Sequence, residues 1–416
     1  MEELFQFSIF DYNKKPFKID KPIRLIELFA GIGSQAKSLK RLHLDFEHYR
    51  VCEFDKYAIA SYNAVHGTNF VKSDIRQITS KDLGIVDTHL FTYLLTYSFP
   101  CQDLSIAGKQ KGMAKGDNTR SGLLWEVERL LNECNELPQV LLMENVPQVH
   151  SSKNIEQFEA WLKFLEGKGY SNYWKDLNAK NFGIPQNRNR TFVVSILGDY
   201  TYEFPQKIPL KIRLMDLLED NVDEKYYISN KGIEYVLKRE GKYTQLCDES
   251  TEIAKAAITA VGNANWTGNF IVEPLCDVAF NLYEMGVKGF NRDTGEVLRA
   301  SGICKTIQTM QGGNRQPKIL EEPLVWDGYN QRIRAEKGTV GALTTNCGGD
   351  LKRNGVGIVN SLRIRKLTPK ECWRLMGFDD EDFEKASKIN SNTQLYKQAG
   401  NSIVVDVLYY IFKQMI

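Results

Sequence analysis

Two apolar runs end on residues that can do chemistry. Cys101 lies in YSFPCQDLS, just after LFTYLLT (90–96), and Glu144 falls near the end of VLLMEN (140–145). A cysteine attacks as its thiolate, not as the thiol. A carboxylate at the end of so apolar a run costs free energy unless it has a task or a partner. Each residue alone also has a plainer reading, as a small buried thiol or half of a structural ion pair. A third element is FAGIGSQA (29–36), which has the spacing GxGxxA. Its glycines let the backbone approach a ligand closely, and the following helix offers its N-terminus. Glu53 follows roughly twenty residues on, where an acid would hold ribose hydroxyls. Asp74 closes a further candidate segment, NFVKSD. The pattern predicts a nucleoside-bearing cofactor, without separating NAD from other adenosine ligands. In QNRNR (186–190) the alternation of Arg188 and Arg190 points both the same way. They would serve an anion or a carbonyl oxygen, or form a solvated basic rim. Residues 102–122 are polar, Gly-rich and locally basic, which suits a lid that touches phosphates.

These residues need elements to position them. Residues 24–29, 49–53, 90–97, 140–145 and 191–196 read as strands; 34–42, 55–65, 121–133 and 155–166 read as helices. The alternation predicts an α/β domain with a parallel sheet covered on both faces. Ligands bind beyond the carboxyl ends of such strands, so Gly31, Glu53, Cys101 and Glu144 would converge on one edge. Beyond 200 the character changes. A Gly/Asn/Thr-rich stretch carries a weak repeat: AITA then NFIV, TIQT then KIL, ALTT then GIV. It reads as a mostly-β module. TPKECWRLMGF (368–378) and VVDVLYYIFKQMI (404–416) read as helices that pack back on the first domain. The expected organisation is an N-terminal extension (1–22), a cofactor-binding domain (23–200), a second domain with its linker (201–360) and a returning C-terminal segment (361–416).

The 416 residues are 25% charged and 42% apolar, the composition of a soluble globular chain. No run is long and apolar enough to span a bilayer, and the start lacks a secretory signal. The eight cysteines have no CxxC spacing and no nearby histidine, so no metal site is expected and the compartment is read as reducing and cytoplasmic. A net charge of +2 makes any basic surface local.

Together the blocks FAGIG, Glu53, PCQ, ENV, QNRNR, RKLTPKECWRLMGF and QAGNS, in this order, resemble the DNA (cytosine-5)-methyltransferases. The likeness covers 24–197 and 363–412. It implies a class I methyltransferase fold with a smaller target-recognition domain, S-adenosylmethionine as cofactor, and a cytosine flipped from double-stranded DNA. Residue by residue, it implies Cys101 as nucleophile, Glu144 at N3 and the exocyclic amine, and Arg188 and Arg190 on the O2 side. For the cofactor it implies Phe29, Gly31, Ile32, Gly33, Glu53, Phe54, Asp74, Ile75, Pro100 and Leu123, with Asn401 and Ser402 at the methionine end. Gln102, Ser105, Lys109 and Arg120 would meet DNA. The implied protein is a monomer of bacterial or phage type, acting alone or beside a restriction endonuclease. Tyr97 and Ser98 depart from the small residues usual before the Pro-Cys block, a trait of a subgroup that includes mollicute enzymes.

Overall fold

The computed structural model describes residues 14–100, 113, 115, 121–226 and 367–416, with the backbone alone at 215, and, between 244 and 366, the backbone of short strands. The chain divides into two compact units. One comprises Met1–Val222, Tyr235–Asn269 and Leu367–Ile416; the other comprises Asp223–Glu234 and Phe270–Lys366. Among the described residues no helix is long and apolar enough to cross a membrane.

The first unit is built on a six-stranded sheet. Its strands are β1 (Ile23–Leu28), β2 (Phe46–Cys52), β3 (Thr92–Tyr97), β4 (Val140–Asn145), β5 (Tyr170–Asn178) and β6 (Asn189–Leu197), in the order β2-β1-β3-β4-β6-β5. β1, β3 and β4 lie at the centre and bury nearly every side chain, which is why they read as continuous apolar runs. β2, β1, β3 and β4 are mutually parallel. The sheet as a whole is mixed, because β6 runs antiparallel to both β4 and β5. A fully parallel sheet was the expectation. It fails because β5 and β6 are joined by residues 179–188 alone, too short for a crossover of a dozen or more residues. The segment ending at Asp74 is a loop, in which the Ser73 N–H donates to the Glu53 carbonyl at 2.9 Å.

The helices cover the sheet: α1 (Ser34–Arg41), α2 (Lys56–His66), α3 (Leu124–Glu133) and α4 (Ile155–Gly167). Asp55 caps α2 by accepting the Tyr57 N–H at 2.9 Å. Residues 121–123 form a tighter 3-10 turn ahead of α3. The C-terminal segment adds α5 (Pro369–Arg374), α6 (Asp380–Ser387), α7 (Asn392–Asn401) and α8 (Val405–Lys413). Thr368 and Glu371 make a reciprocal capping box on α5. α8 packs on α1, and charges stitch the two segments together. Lys37 reaches Asp379 (2.5 Å) and Asp382 (2.6 Å), while Arg41 reaches Asp379 (3.0 Å), Asp406 (3.1 Å) and the Gly377 carbonyl. α7 holds α2 through Gln398, which donates to the Tyr57 carbonyl and accepts from Ser61, and through the Lys397–Asp55 pair.

Of the second unit the structure describes Asp223–Tyr226, with a 3-10 turn at Glu224–Tyr226, and otherwise paired strands. Gly268–Pro274 runs antiparallel to Leu362–Lys366, with Phe270 opposite Lys366. Glu296–Arg299 pairs antiparallel with Val278–Asn281 and parallel with Lys318–Leu320. NFIV and KIL of the repeat fall within these strands; AITA, TIQT, ALTT and GIV lie outside the described residues.

Two side-chain environments lead to measurable consequences. Gly377 has φ +81°, and an added Cβ would overlap the Asp406 carboxylate and sit 3.2 Å from Val405 Cβ. Gly377→Ala is expected to lower the unfolding free energy by about 1–3 kcal/mol; an unchanged denaturant midpoint would count against this packing. Glu27 is fully buried on β1, bonded to the Tyr62 hydroxyl and, at 3.4 Å, to the Ala36 N–H. Burial pushes its carboxyl from 4.5 up to about 7. Over that interval the folded chain holds a proton that the unfolded chain has released. Stability therefore falls as pH rises from 4.5 to about 7 and levels off above. Thermal midpoints across this interval should decline for the wild type and decline less for Glu27→Gln.

Candidate active site

The glycine turn leaves β1 at its carboxyl end. Phe29, Gly31 and Gly33 take left-handed backbone, with φ of 57°, 59° and 81°. That conformation suits glycine and costs Phe29 on the order of 1 kcal/mol. The Ala30 N–H donates to the Cys52 carbonyl at 3.2 Å, and the Gly33 N–H to the Ala30 carbonyl at 3.0 Å. Glu53, just beyond β2, clamps the turn. Its carboxylate accepts the Gly31 N–H at 2.8 Å and the Asp55 N–H at 2.7 Å. Burial pushes the Glu53 carboxyl above its ordinary value, against the pull of those two N–H donors. A carboxylate has about four acceptor sites, so capacity remains for hydroxyl donors. A Cβ built on Gly31 would meet nothing within 4 Å, so the turn borders open space. An adenosine ligand fits this donor set.

Other residues of the expected cofactor site fall around the same turn in different ways. Phe54 follows Glu53 and is 67% exposed, a free aromatic face for a planar base. Asp74 is gripped by Arg76, whose Nε and Nη2 lie 3.0 and 2.5 Å from its two oxygens and whose N–H donates at 3.0 Å. That contact holds the Asp74 carboxyl below its usual range, and so ionised. Ile75 is buried; Phe29 and Leu123 are half-buried against the same apolar core. The Pro100 carbonyl accepts the Ser121 hydroxyl at 2.8 Å. Asn401 ends α7 with its side chain exposed. Ser402 is buried, and its hydroxyl donates to the Gln398 carbonyl at 2.8 Å.

At the other half of the edge, Glu144 is the last residue but one of β4, beside β6. Arg190 Nε lies 3.1 Å from Glu144 Oε1, and the carboxylate residue is only 8% exposed. The next residue, Asn145, donates to the Phe99 carbonyl at 3.0 Å. It thereby ties β4 to the chain that leads into Cys101. Tyr97 points into the core, where the Trp161 indole N–H donates to its hydroxyl at 3.1 Å. Among the described residues Arg188 and Arg190 reach different partners, contrary to the expectation. The alternation breaks at Arg188, whose N–H turns back to the Gln186 carbonyl at 3.0 Å. The Arg188 side chain is buried and donates to the carbonyls of Gly400 (3.0 Å) and Ser402 (2.8 Å). It fastens the C-terminal segment to the sheet edge. Cys101, Gln102, Ser105, Lys109 and Arg120 lie outside the described residues.

Sequence reasoning passed over three residues here. Arg76 had only its nearness to Asp74 as a signal. Tyr62 and His66 stand four apart on α2 and share one face, and both touch the glycine turn from behind.

The chain resembles known proteins along nearly its whole length. The chain is 30% identical over 447 aligned positions to the type II methyltransferase M2.ScrFI of Lactococcus lactis subsp. cremoris, covering 94% of this chain and 99% of that protein. It is 30% identical over 469 positions to the orphan methyltransferase M.SPBetaI of Bacillus phage SPbeta, with 95% and 97% coverage. The fold is shared with S. pombe Dnmt2 methyltransferase (TM-score 0.59, 21% identity, 94% and 97% coverage). It is shared too with the Entamoeba histolytica methyltransferase EhMeth (TM-score 0.62, 16% identity, 95% and 98% coverage). Residues 23–416 match the family described as C-5 cytosine-specific DNA methylase, and the chain belongs to that family as a DNA cytosine-5 methyltransferase.

Proposed function

We propose that the protein methylates C5 of a cytosine flipped out of double-stranded DNA at a specific sequence, with S-adenosylmethionine as methyl donor and a covalent Cys101–C6 bond on the way. The observation that carries this reading is the Glu144–Arg190 pair at the carboxyl end of the sheet, one residue from the Asn145 bond to the chain entering Cys101. C5 of cytosine is a poor nucleophile. Addition of the Cys101 thiolate to C6 moves electron density to C5. Glu144 shares a proton at N3 as the adduct forms, which accepts the charge that the thiolate brings. Arg190 holds Glu144 in place and presents its remaining N–H groups to the O2 side. When bound, S-adenosylmethionine supplies an electrophilic methyl group that C5 takes up. Loss of the C5 proton then expels Cys101 and restores the aromatic ring.

The residues that would hold the cofactor are those of the glycine turn, with Glu53 on the ribose, Phe54 on the adenine face, and Asp74 with Ile75 at its edge. Pro100, Leu123, Asn401 and Ser402 complete the surround. Gln102, Ser105, Lys109 and Arg120 would follow the DNA backbone, and residues 201–360 would read the target. The protein would act as a monomer in the cytoplasm, alone or beside a restriction endonuclease; its relatives include both a type II and an orphan methyltransferase by name.

Purified protein given duplex DNA and labelled cofactor should place label on C5 of cytosine, and transfer to RNA alone would remove the DNA reading. Cys101→Ala should abolish turnover and leave cofactor binding near wild type. Glu144→Gln should cut kcat by roughly 10²–10⁴-fold, again with cofactor binding kept. Substantial residual methylation by Cys101→Ala would overturn the assignment of the nucleophile.

A further inference from the structure

Behind the glycine turn lies a polar cluster that the proposed chemistry does not use. His66, the last residue of α2, is buried, with Nε2 3.0 Å from the Ile32 carbonyl oxygen in the middle of the turn. Its Nδ1 lies 3.4 Å from Lys40 Nζ. An ammonium group only donates, so Nδ1 must accept. The ring proton is thereby placed on Nε2, aimed at Ile32. Burial, reinforced by the Lys40 charge, pushes the imidazole down to about 3 and keeps it neutral. The ring is held in turn by Tyr62, whose centroid is 4.6 Å away. The Tyr62 hydroxyl is fixed by Glu27 and by His48 Nδ1 at 2.8 Å. A Cβ on Gly33 would collide with His66 and lie 2.7 Å from a Tyr62 ring carbon. The turn therefore rests directly on these two rings.

The peptide between Ile32 and Gly33 is the point at which this turn could fail. Gly33 tolerates either sign of φ, so the peptide plane can flip at low steric cost. A flip would swing the Ile32 carbonyl toward the ligand side. Two hydrogen bonds oppose it: the Gly33 N–H to Ala30, and His66 to Ile32. We propose that His66, with its tautomer fixed by Lys40, is a positioning residue for the cofactor turn, clamping it from behind as Glu53 clamps it in front. This rests on the reading that the turn binds S-adenosylmethionine.

Calorimetric titration of the full-length protein with S-adenosylmethionine tests it. His66→Phe keeps the ring's bulk without a donor and should bind roughly tenfold more weakly. His66→Gln restores an N–H donor and should recover most of the loss. At saturating cofactor the kcat of both should stay within about twofold of wild type, because the clamp acts on binding. Ring nitrogen NMR of the wild type should show His66 protonated on Nε2. Wild-type affinity in His66→Phe, or a proton on Nδ1, overturns the inference. Should His66→Phe fail to fold, Lys40→Met alters only an exposed side chain; unchanged affinity and an unchanged tautomer there would equally overturn it. A wild type that binds no S-adenosylmethionine removes the cofactor reading and the inference with it.

Discussion

The turn from Phe29 to Gly33 can exist only where the chain accepts left-handed backbone three times in five residues. Two of those positions are glycine, and the third is a phenylalanine held against its preference. Such a turn has little stability of its own, so its shape must come from what surrounds it. In front, the Glu53 carboxylate takes the Gly31 N–H; behind, Tyr62 and His66 fill the space that Gly33 leaves by having no side chain. The parallel pairing of β1 with β2 brings Glu53 to the turn, and the Asp55 cap starts α2 where its face can reach it. The buried Glu27 follows from the same need: it anchors Tyr62, at the cost of a carboxyl that gives up its charge easily.

The second half of the site depends on neighbouring strands of opposite direction. β4 delivers Glu144 at its carboxyl end, and β6, running the other way, starts there and delivers Arg190. An all-parallel sheet would bring two strand ends of one kind to this edge. The reversal lets an acid and a base come from adjacent strands without a long loop. Asn145 extends the arrangement to β3 through the Phe99 carbonyl, so three strands share the positioning of one edge.

How much of this the sequence disclosed depended on how strongly each segment was constrained. β1, β3 and β4 are buried on both faces and read as apolar runs. β5 mixes Asn, Lys, Asp and Trp at an edge, and neither period 2 nor an apolar run marks it. α6 and α7 are polar helices that earn their place through charge pairs with α1 and α2, a signal no local pattern carries. Glu53 was legible from its spacing after the turn. Arg188 was misread because a single backbone bend at Gln186–Arg188 breaks the alternation, and a bend of that size leaves no compositional trace. His66 had no motif, since its meaning lies in the space left by a residue thirty-three positions earlier.

Arg188 holds the carbonyls of Gly400 and Ser402, and α1 lies against α8. The first compact unit is therefore closed by a segment that the chain reaches only after residues 270–366 of the second unit. A ribosome that has released residues 1–380 has exposed every residue of the strands, the glycine turn and the Glu144–Arg190 pair, but not the segment that locks them together. A chain cut before residue 367 keeps the six strands but lacks the piece that closes them. The order of synthesis thus places the strands of the second unit ahead of the segment that completes the first.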